Sequence, residues 1–296
     1  MGASRWRRWV TLGEGLLYLT PSLGLLSVFV FYPAIRSIYL SLYLTDSLGR
    51  PKLFHGLTNF TDSLTDASFL HSLWTSVLFV LYTVPGGIIV GLLLALLADR
   101  PLRGIRFFQT LFSSTMGVSV ATGSLIWAMM YNPISGVLNY FLNVLHLPKV
   151  AWLTQPAWAL PAVALVSIWI GLGFNFVLML SGLQNVPQEL REAARVDGAN
   201  GWHQTRHIVL PLISPTLFFA AVVGVIRAFQ TFGEVDILTS GGPSQATNIV
   251  VYQIYQRAFI DFNFGTASAQ ALILFVIIML FTFLQFRLGE RRVHYQ

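Results

Sequence analysis

Glu192-Ala193-Ala194-Arg195-Val196-Asp197-Gly198, followed after nine intervening residues by Ile208-Val209-Leu210-Pro211, is a short charged segment lodged between two long apolar ones. Pro187 suits the first turn of a helix, where its missing N–H costs nothing, and Gly198 suits the stop just after it. The spacing predicts a helix over about 187–198, only ~16 Å long. Leu190, Ala193, Ala194 and Asp197 recur at helical spacing, with Glu189, Arg191, Glu192 and Arg195 clothing the remainder. A helix lying on lipid headgroups favours bulky apolar residues on one face and excess Lys/Arg on the other. Here Leu190 is the lone anchor and the charges are mixed, so docking to a protein outside the bilayer is the better reading.

The flanking segments set the fold class. A membrane-spanning helix needs roughly 20 mostly apolar residues. Six segments qualify: about 14–43, 70–98, 107–131, 157–184, 207–232 and 266–287. The chain is 55% hydrophobic and 10% charged, where a soluble domain carries about a quarter charged residues. The expectation is an all-α, polytopic membrane protein with six spans, forming one domain over 1–296. Pro21 and Pro33 are expected to bend or end the first span. Pro85-Gly86-Gly87 and Gly87-x3-Gly91 permit a kink and a close helix approach, plain packing being the simpler account. Loops are expected at 44–69, 132–156 and 233–265. The last holds the turn cluster Thr239-Ser240-Gly241-Gly242-Pro243 and then an amphipathic stretch, Asn248–Phe259.

The net charge of +6 is distributed topologically. Arg5, Arg7 and Arg8 precede the first span, and Arg100, Arg103 and Arg106 separate the second from the third. Arg191, Arg195 and Arg206 separate the fourth from the fifth, and Arg287, Arg291 and Arg292 follow the last. The intervening loops hold Arg50, Lys52, Lys149 and Arg257 among several acids. This alternation places both termini and the 187–198 helix in the cytoplasm of a multi-pass inner-membrane protein and argues against a nucleic-acid partner. The apolar run after the first arginines continues from Leu16 to about Tyr32 without a cleavage site, so an uncleaved span is expected rather than a signal peptide.

Several chemistries are excluded. The chain has no cysteine, so thiol and disulfide chemistry is impossible. A P-loop needs a lysine directly after glycine, and the two lysines, Lys52 and Lys149, each follow proline. His203 and His207 share a helix face, but no carboxylate beside them completes a metal set. No G-x-S-x-G elbow is present. No enzymatic activity, metal or cofactor is expected in this chain.

Glu192-Ala193-Ala194, three residues, Gly198, nine residues and Ile208-x-Leu210-Pro211 together resemble the signature of binding-protein-dependent ABC importer permeases. Leu183-Gln184-Asn185-Val186-Pro187 matches the usual lead-in. Leu238-Thr239-Ser240-Gly241-Gly242-Pro243-Ser244-Gln245-Ala246-Thr247 resembles the external segment of the carbohydrate and glycerol-3-phosphate branch. Phe264-Gly265-Thr266-Ala267-Ser268-Ala269 and the ending Val293-His294-Tyr295-Gln296 agree. The resemblance implies a type I importer permease fold working by alternating access. It also implies a homologous second permease, two ATPase subunits that bind ATP and Mg, and an external solute-binding protein. In such proteins the loop forms a coupling helix seated in the ATPase. The implied coupling residues are Glu192, Ala193, Ala194 and Gly198, with Asp197 supporting the turn. Phe112-Ser113-Ser114-Thr115 lacks the proline the family places near that point, which puts a kink there in doubt.

The family lines its pathway from the middle of span four and the latter half of span five, which implies Gly171, Phe174, Gly224, Ala228 and Thr231 here. Ionisable and polar residues within spans are functional candidates because burying them is costly. They add Asn175, Arg227 and Gln230. Two readings of Arg227 stand: its guanidinium meets a phosphate or a cluster of sugar hydroxyls, or it snorkels or pairs with Glu234 or Asp236. The Gly241-Gly242-Pro243 turn is either surface for the binding protein or purely structural. A stand-alone ion-coupled transporter is the rival class. It would require paired intramembrane carboxylates, whereas nearly every acid sits in a loop or at a span end.

Overall fold

The computed structural model describes residues 18–100 and 102–289. Arg5, Arg7, Arg8, positions 14–17 of the first span, Arg291, Arg292 and the ending Val293-His294-Tyr295-Gln296 lie outside the described residues. In chain order the elements are α1 (Tyr18–Ser41), β1 (Tyr43–Thr45), β2 (Pro51–Phe54), α2 (Thr58–Thr65), α3 (Ala67–Ala98), α4 (Ile105–Ser113), α5 (Val120–Met130) and α6 (Val137–Val144). There follow α7 (Pro156–Gln184), α8 (Gln188–Val196), α9 (Gly201–Leu212), α10 (Ser214–Phe229), α11 (Gly233–Leu238), α12 (Val250–Tyr255) and α13 (Phe264–Gly289). Helices α1, α3, α7 and α13 are each long and apolar enough to cross a membrane. The pairs α4–α5 and α9–α10 qualify only when joined, bent by 106° and 67°, and counting each pair once gives the expected six spans.

Proline and hydroxyl chemistry account for the breaks, but not where the sequence placed them. Helix α1 runs through both Pro21 and Pro33 instead of ending. A π turn, Ser27–Phe31, precedes Pro33 and the Tyr32 N–H reaches back to the Ser27 carbonyl. That wider turn accommodates the missing proline donor. The third span bends sharply without any proline. Ser113, Ser114 and Thr115 hydroxyls donate to the carbonyls of Thr110, Leu111 and Phe112 at 3.1, 2.7 and 3.1 Å. These bonds compete with the helical ladder, and the chain passes through a 3₁₀ turn, Ser114–Gly117, into extended Val118 and Ser119.

The chain divides into two compact units. One comprises the described residues through Thr65 together with Ile254–Ile273. Within it the 44–69 stretch is more ordered than a loop: β1 and β2 form an antiparallel hairpin with Tyr43 opposite Phe54 and Leu44 opposite Leu53. Asp46 closes its turn by accepting N–H groups of Arg50 at 2.8 Å and Leu48 at 3.1 Å, and these bonds, the Arg50 one foremost, hold its carboxyl below the usual range. Buried Asn59 donates to the carbonyls of Ser41 and Tyr43 at 2.8 and 3.1 Å, tying α2 to the hairpin. Gly265 lies where a Cβ would collide with the Tyr43 carbonyl, which explains the glycine in Phe264-Gly265-Thr266.

The second unit comprises Asp66–Gln253 and the described residues from Leu274 onward. Its spine is α3 lying along α7, with α10 packed on α3 and α11 on α5. Lipid tails are as apolar as leucine, so close backbone approach and polar contacts must supply much of this helix association. Gly87 and Gly91 are both buried and face Asn175 of α7: a Cβ on either would stand 2.8 Å from an Asn175 atom. The Gly87-x3-Gly91 expectation of close approach holds. Phe176, Met179, Leu183, Ala95 and Ile213 form the adjoining buried cluster.

Candidate functional site

A cavity of about 640 Å³ opens in the second unit, walled by α3, the α4–α5 bend, α7, α10 and the start of α11. Gly171, Phe174, Asn175, Gly224, Arg227, Ala228, Gln230 and Thr231 all line it. Glycines at 171 and 224 leave the walls without side chains; a Cβ on Gly224 would press on Val84 at 3.3 Å. Arg227 projects into the space with its guanidinium 4.7 Å from the centre of the Phe174 ring. A cation over an aromatic face is held by the ring quadrupole while its N–H groups stay free to donate. Among the described residues Arg227 forms an ion pair with neither Glu234 nor Asp236.

Sequence reasoning missed Ser167 and named Glu234 only as a possible partner of Arg227. The Ser167 hydroxyl donates to Glu234 Oε1 at 3.2 Å, and Glu234 is 8% exposed on the cavity wall. A buried carboxylate is costly unless it is hydrogen-bonded. Ser167 was in reach of helical spacing, since it precedes Phe174 by two turns on the same face of α7. Glu234 gave less signal, because it stands where a loop was expected to begin.

The second feature is α8. Glu192, Ala193, Asp197 and Gly198 are exposed, whereas Ala194 is 8% exposed and packs into its own chain. Pro187 stands at the N-cap, one residue before the helix, with α8 beginning at Gln188. At the other end the Gly198 N–H bonds the Arg195 carbonyl at 3.1 Å and the Ala199 N–H bonds the Ala194 carbonyl at 2.9 Å. This is a Schellman termination, and it needs the left-handed φ of +80° that Gly198 adopts. Asn200 then caps α9 by accepting the His203 N–H at 2.8 Å.

Arg191, read from the sequence as part of the polar coat and of the cytoplasmic arginine set, is the tether. Its Nη1 pairs with Asp99 at 2.6 Å, and its Nη2 donates to the Leu183 carbonyl at 2.8 Å. Leu183 lies in the last turn of α7, where carbonyls lack helical partners and a cation is favoured. One side chain therefore ties α8 to the ends of α3 and α7. His203 and His207 stack at 4.1 Å between centroids, and no group of three potential metal ligands occurs among the described residues.

The Thr239–Pro243 cluster folds as a self-bonded turn. Thr247, fully buried, donates to the Gly242 carbonyl at 2.6 Å and shares a hydrogen bond with the Thr239 hydroxyl at 2.7 Å. Gly241, at φ +79°, lies against Tyr252, where a Cβ would meet the ring at 2.8 Å.

Helices sized for a membrane, a cavity that sets Arg227 and Glu234 among largely apolar walls, and an exposed charged helix between spans define a polytopic membrane transport component. The chain belongs to the family described as binding-protein-dependent transport system inner membrane component, which it matches over residues 67–295. It is thus a multi-pass inner-membrane permease component of an ABC importer, as the signature implied. Among curated relatives, the sn-glycerol-3-phosphate transport system permease protein UgpA of Brucella suis biovar 1 is 39% identical over 280 residues, 94% of each chain. That of Agrobacterium fabrum is 38% identical over 282 residues, 94% of this chain and 95% of the relative. Among solved structures, a chain of a bacterial alginate ABC transporter complexed with an alginate pentasaccharide-bound periplasmic protein superposes with a TM-score of 0.82. It is 20% identical and covers 98% of this chain and 96% of its own. A chain of the MetNI methionine ABC transporter in an inward-facing conformation gives 0.55 at 16% identity, over 77% of this chain and 97% of its own. These likenesses establish the fold.

Proposed function

We propose that this chain is the permease subunit of an ATP-driven importer carrying an acidic polyol or carbohydrate, of the glycerol-3-phosphate kind, into the cytoplasm by alternating access. The observation that carries this reading is the convergence of Gly171, Phe174, Asn175, Gly224, Arg227, Ala228, Gln230 and Thr231 on one cavity with a guanidinium available to an anion. The glycerol-3-phosphate specificity named for the 39% identical relative supports the substrate class. The chain itself performs no catalysis; ATP and Mg belong to two partner ATPase subunits. A homologous second permease completes the pathway, and an external solute-binding protein delivers the solute. Both termini and α8 face the cytoplasm. There Glu192, Ala193 and Gly198 meet the ATPase, Asp197 supports the turn, and Ala194 seats the helix on its own spans. ATPase closure then reaches α3 and α7 as rigid-body movement.

The test uses the complete complex in proteoliposomes. Arg227→Gln is expected to lower uptake of labelled sn-glycerol-3-phosphate at least ten-fold, the cost of about one charge-assisted hydrogen bond. Unchanged uptake removes Arg227 from the pathway.

A further inference from the structure

The cavity carries a guanidinium and a carboxyl group, each held by a residue of α7. Phe174 bears the Arg227 guanidinium and Ser167 bears the Glu234 carboxylate. The two α7 residues are separated by two helical turns, about 10 Å along one face. No ion pair joins the two groups among the described residues. Glu234 is buried to 8% exposure with the Ser167 hydroxyl as its side-chain partner. A carboxylate accepts up to about four hydrogen bonds, so the Ser167 hydroxyl and the backbone N–H of Glu234 itself leave acceptor capacity. The cavity wall also supplies neutral polar groups, Gln230 and Thr231.

We infer that the cavity is a two-pole site in which Arg227 takes the acidic group of the solute and Glu234, oriented by Ser167, accepts its hydroxyl hydrogens. Glu234 is then the residue that selects for hydroxyls, and the solute lies along α7 with its acid toward Phe174. This rests on the cavity being the import pathway. Two chemistries share the required pattern of one acid and neighbouring hydroxyls: a polyol phosphate ester and a uronic-acid sugar. An acid without hydroxyls satisfies one pole and leaves buried Glu234 short of donors, which is how a polar site rejects it.

The experiment compares two probes in the same proteoliposomes, with the complete complex including its binding protein. The first arm pairs labelled sn-glycerol-3-phosphate with 1,3-propanediol monophosphate, which lacks the secondary hydroxyl. The second arm pairs a labelled uronic-acid disaccharide with a deoxy counterpart. The readout is the ratio of import rates within each pair, in the wild type and in Glu234→Gln. Because the same binding protein serves both forms of the permease, its own preference cancels between them, and so does the amount of assembled complex. In the arm that the transporter accepts, the ratio is expected to fall about ten-fold or more in Glu234→Gln, the loss of a hydrogen bond to a charged group. Ser167→Ala, which keeps the carboxylate but frees its orientation, is expected to lower the ratio by about half as much on a logarithmic scale and guards against a misfolded Glu234 variant. Ratios unchanged in both variants overturn the two-pole inference and leave the pathway reading intact. Wild-type import of neither acidic probe overturns the substrate class itself.

Discussion

The cavity and α8 depend on the same helix, α7, and are built in opposite ways. The cavity gathers side chains from five elements around a space, with Asn175, Arg227 and Gln230 on its wall beside the hydrogen-bonded Ser167–Glu234 pair. Helix α8 gathers nothing: it turns Glu192, Ala193 and Gly198 outward and is held from behind by Ala194 and Arg191. About 14 Å of α7 separates Phe174, the platform for Arg227, from Leu183, whose carbonyl Arg191 caps. Under the proposed function, the difference teaches how the work is divided. A surface that must recognise a solute keeps unspent hydrogen-bonding capacity inside. A surface that must transmit force spends its capacity on attachment and leaves a rigid face outside.

The largest expected effect comes from cutting that attachment. Arg191 and Asp99 have side chains only 23% and 16% exposed, so Asp99→Asn or Arg191→Gln leaves a largely buried charge without its partner. Full burial costs 3–5 kcal/mol; with this residual exposure the loss should be about 2–3 kcal/mol. Thermal unfolding of the purified complex measures it. The comparison also predicts a mechanical signature: solute imported per ATP hydrolysed should fall in both variants. A normal ratio in both would mean that α8 transmits force without its tether.

The division was partly legible in the sequence, for physical reasons. The family resemblance implied Gly171, Phe174, Gly224, Ala228 and Thr231, and the cost of burying polar side chains in a span added Asn175, Arg227 and Gln230, so the cavity set could be named before the fold was known. The ends of α8 were readable because Pro187 and Gly198 have backbone constraints of their own. The Asp99–Arg191 pair joins residues 92 positions apart, and no local pattern predicts a contact that the fold alone creates. The bend in the third span was placed in doubt for want of a proline. The consecutive hydroxyls of Ser113, Ser114 and Thr115 do that work instead, and their composition reads equally well as a straight polar patch. Hairpin β1–β2 escaped because three residues such as Tyr43-Leu44-Thr45 are too few to show an alternation.

The next effect tests the cavity side of the comparison, where space rather than attachment matters. Gly91→Ala places a Cβ 2.8 Å from Asn175 Cβ and 3.1 Å from its carbonyl carbon. Backbone cannot step aside, so α3 and α7 must separate, at about 1–3 kcal/mol. Gly87→Ala meets only the amide nitrogen of Asn175, the far end of a side chain that can rotate, and should cost less. Thermal unfolding of the two variants should therefore rank Gly91→Ala below Gly87→Ala. The reverse order would mean that Asn175 is held by the cavity more firmly than the helices hold each other.

The smallest effect separates strain from contact at the exposed end of α8. Gly198 holds φ at +80° and a Cβ there would meet nothing within 4 Å, so Gly198→Ala should cost only the left-handed backbone penalty, roughly 1 kcal/mol. Asparagine tolerates that conformation better, so Gly198→Asn should recover part of the lost stability. If the outward face of α8 is seated in a partner, function should follow the opposite order, because asparagine adds the larger obstruction. The decisive measurement sets thermal unfolding beside binding-protein-stimulated ATP hydrolysis for both variants. Stability ranked Asn above Ala, with stimulation ranked Ala above Asn, identifies a seated surface. Parallel rankings would reduce Gly198 to a helix stop and move the contact to Glu192 and Ala193.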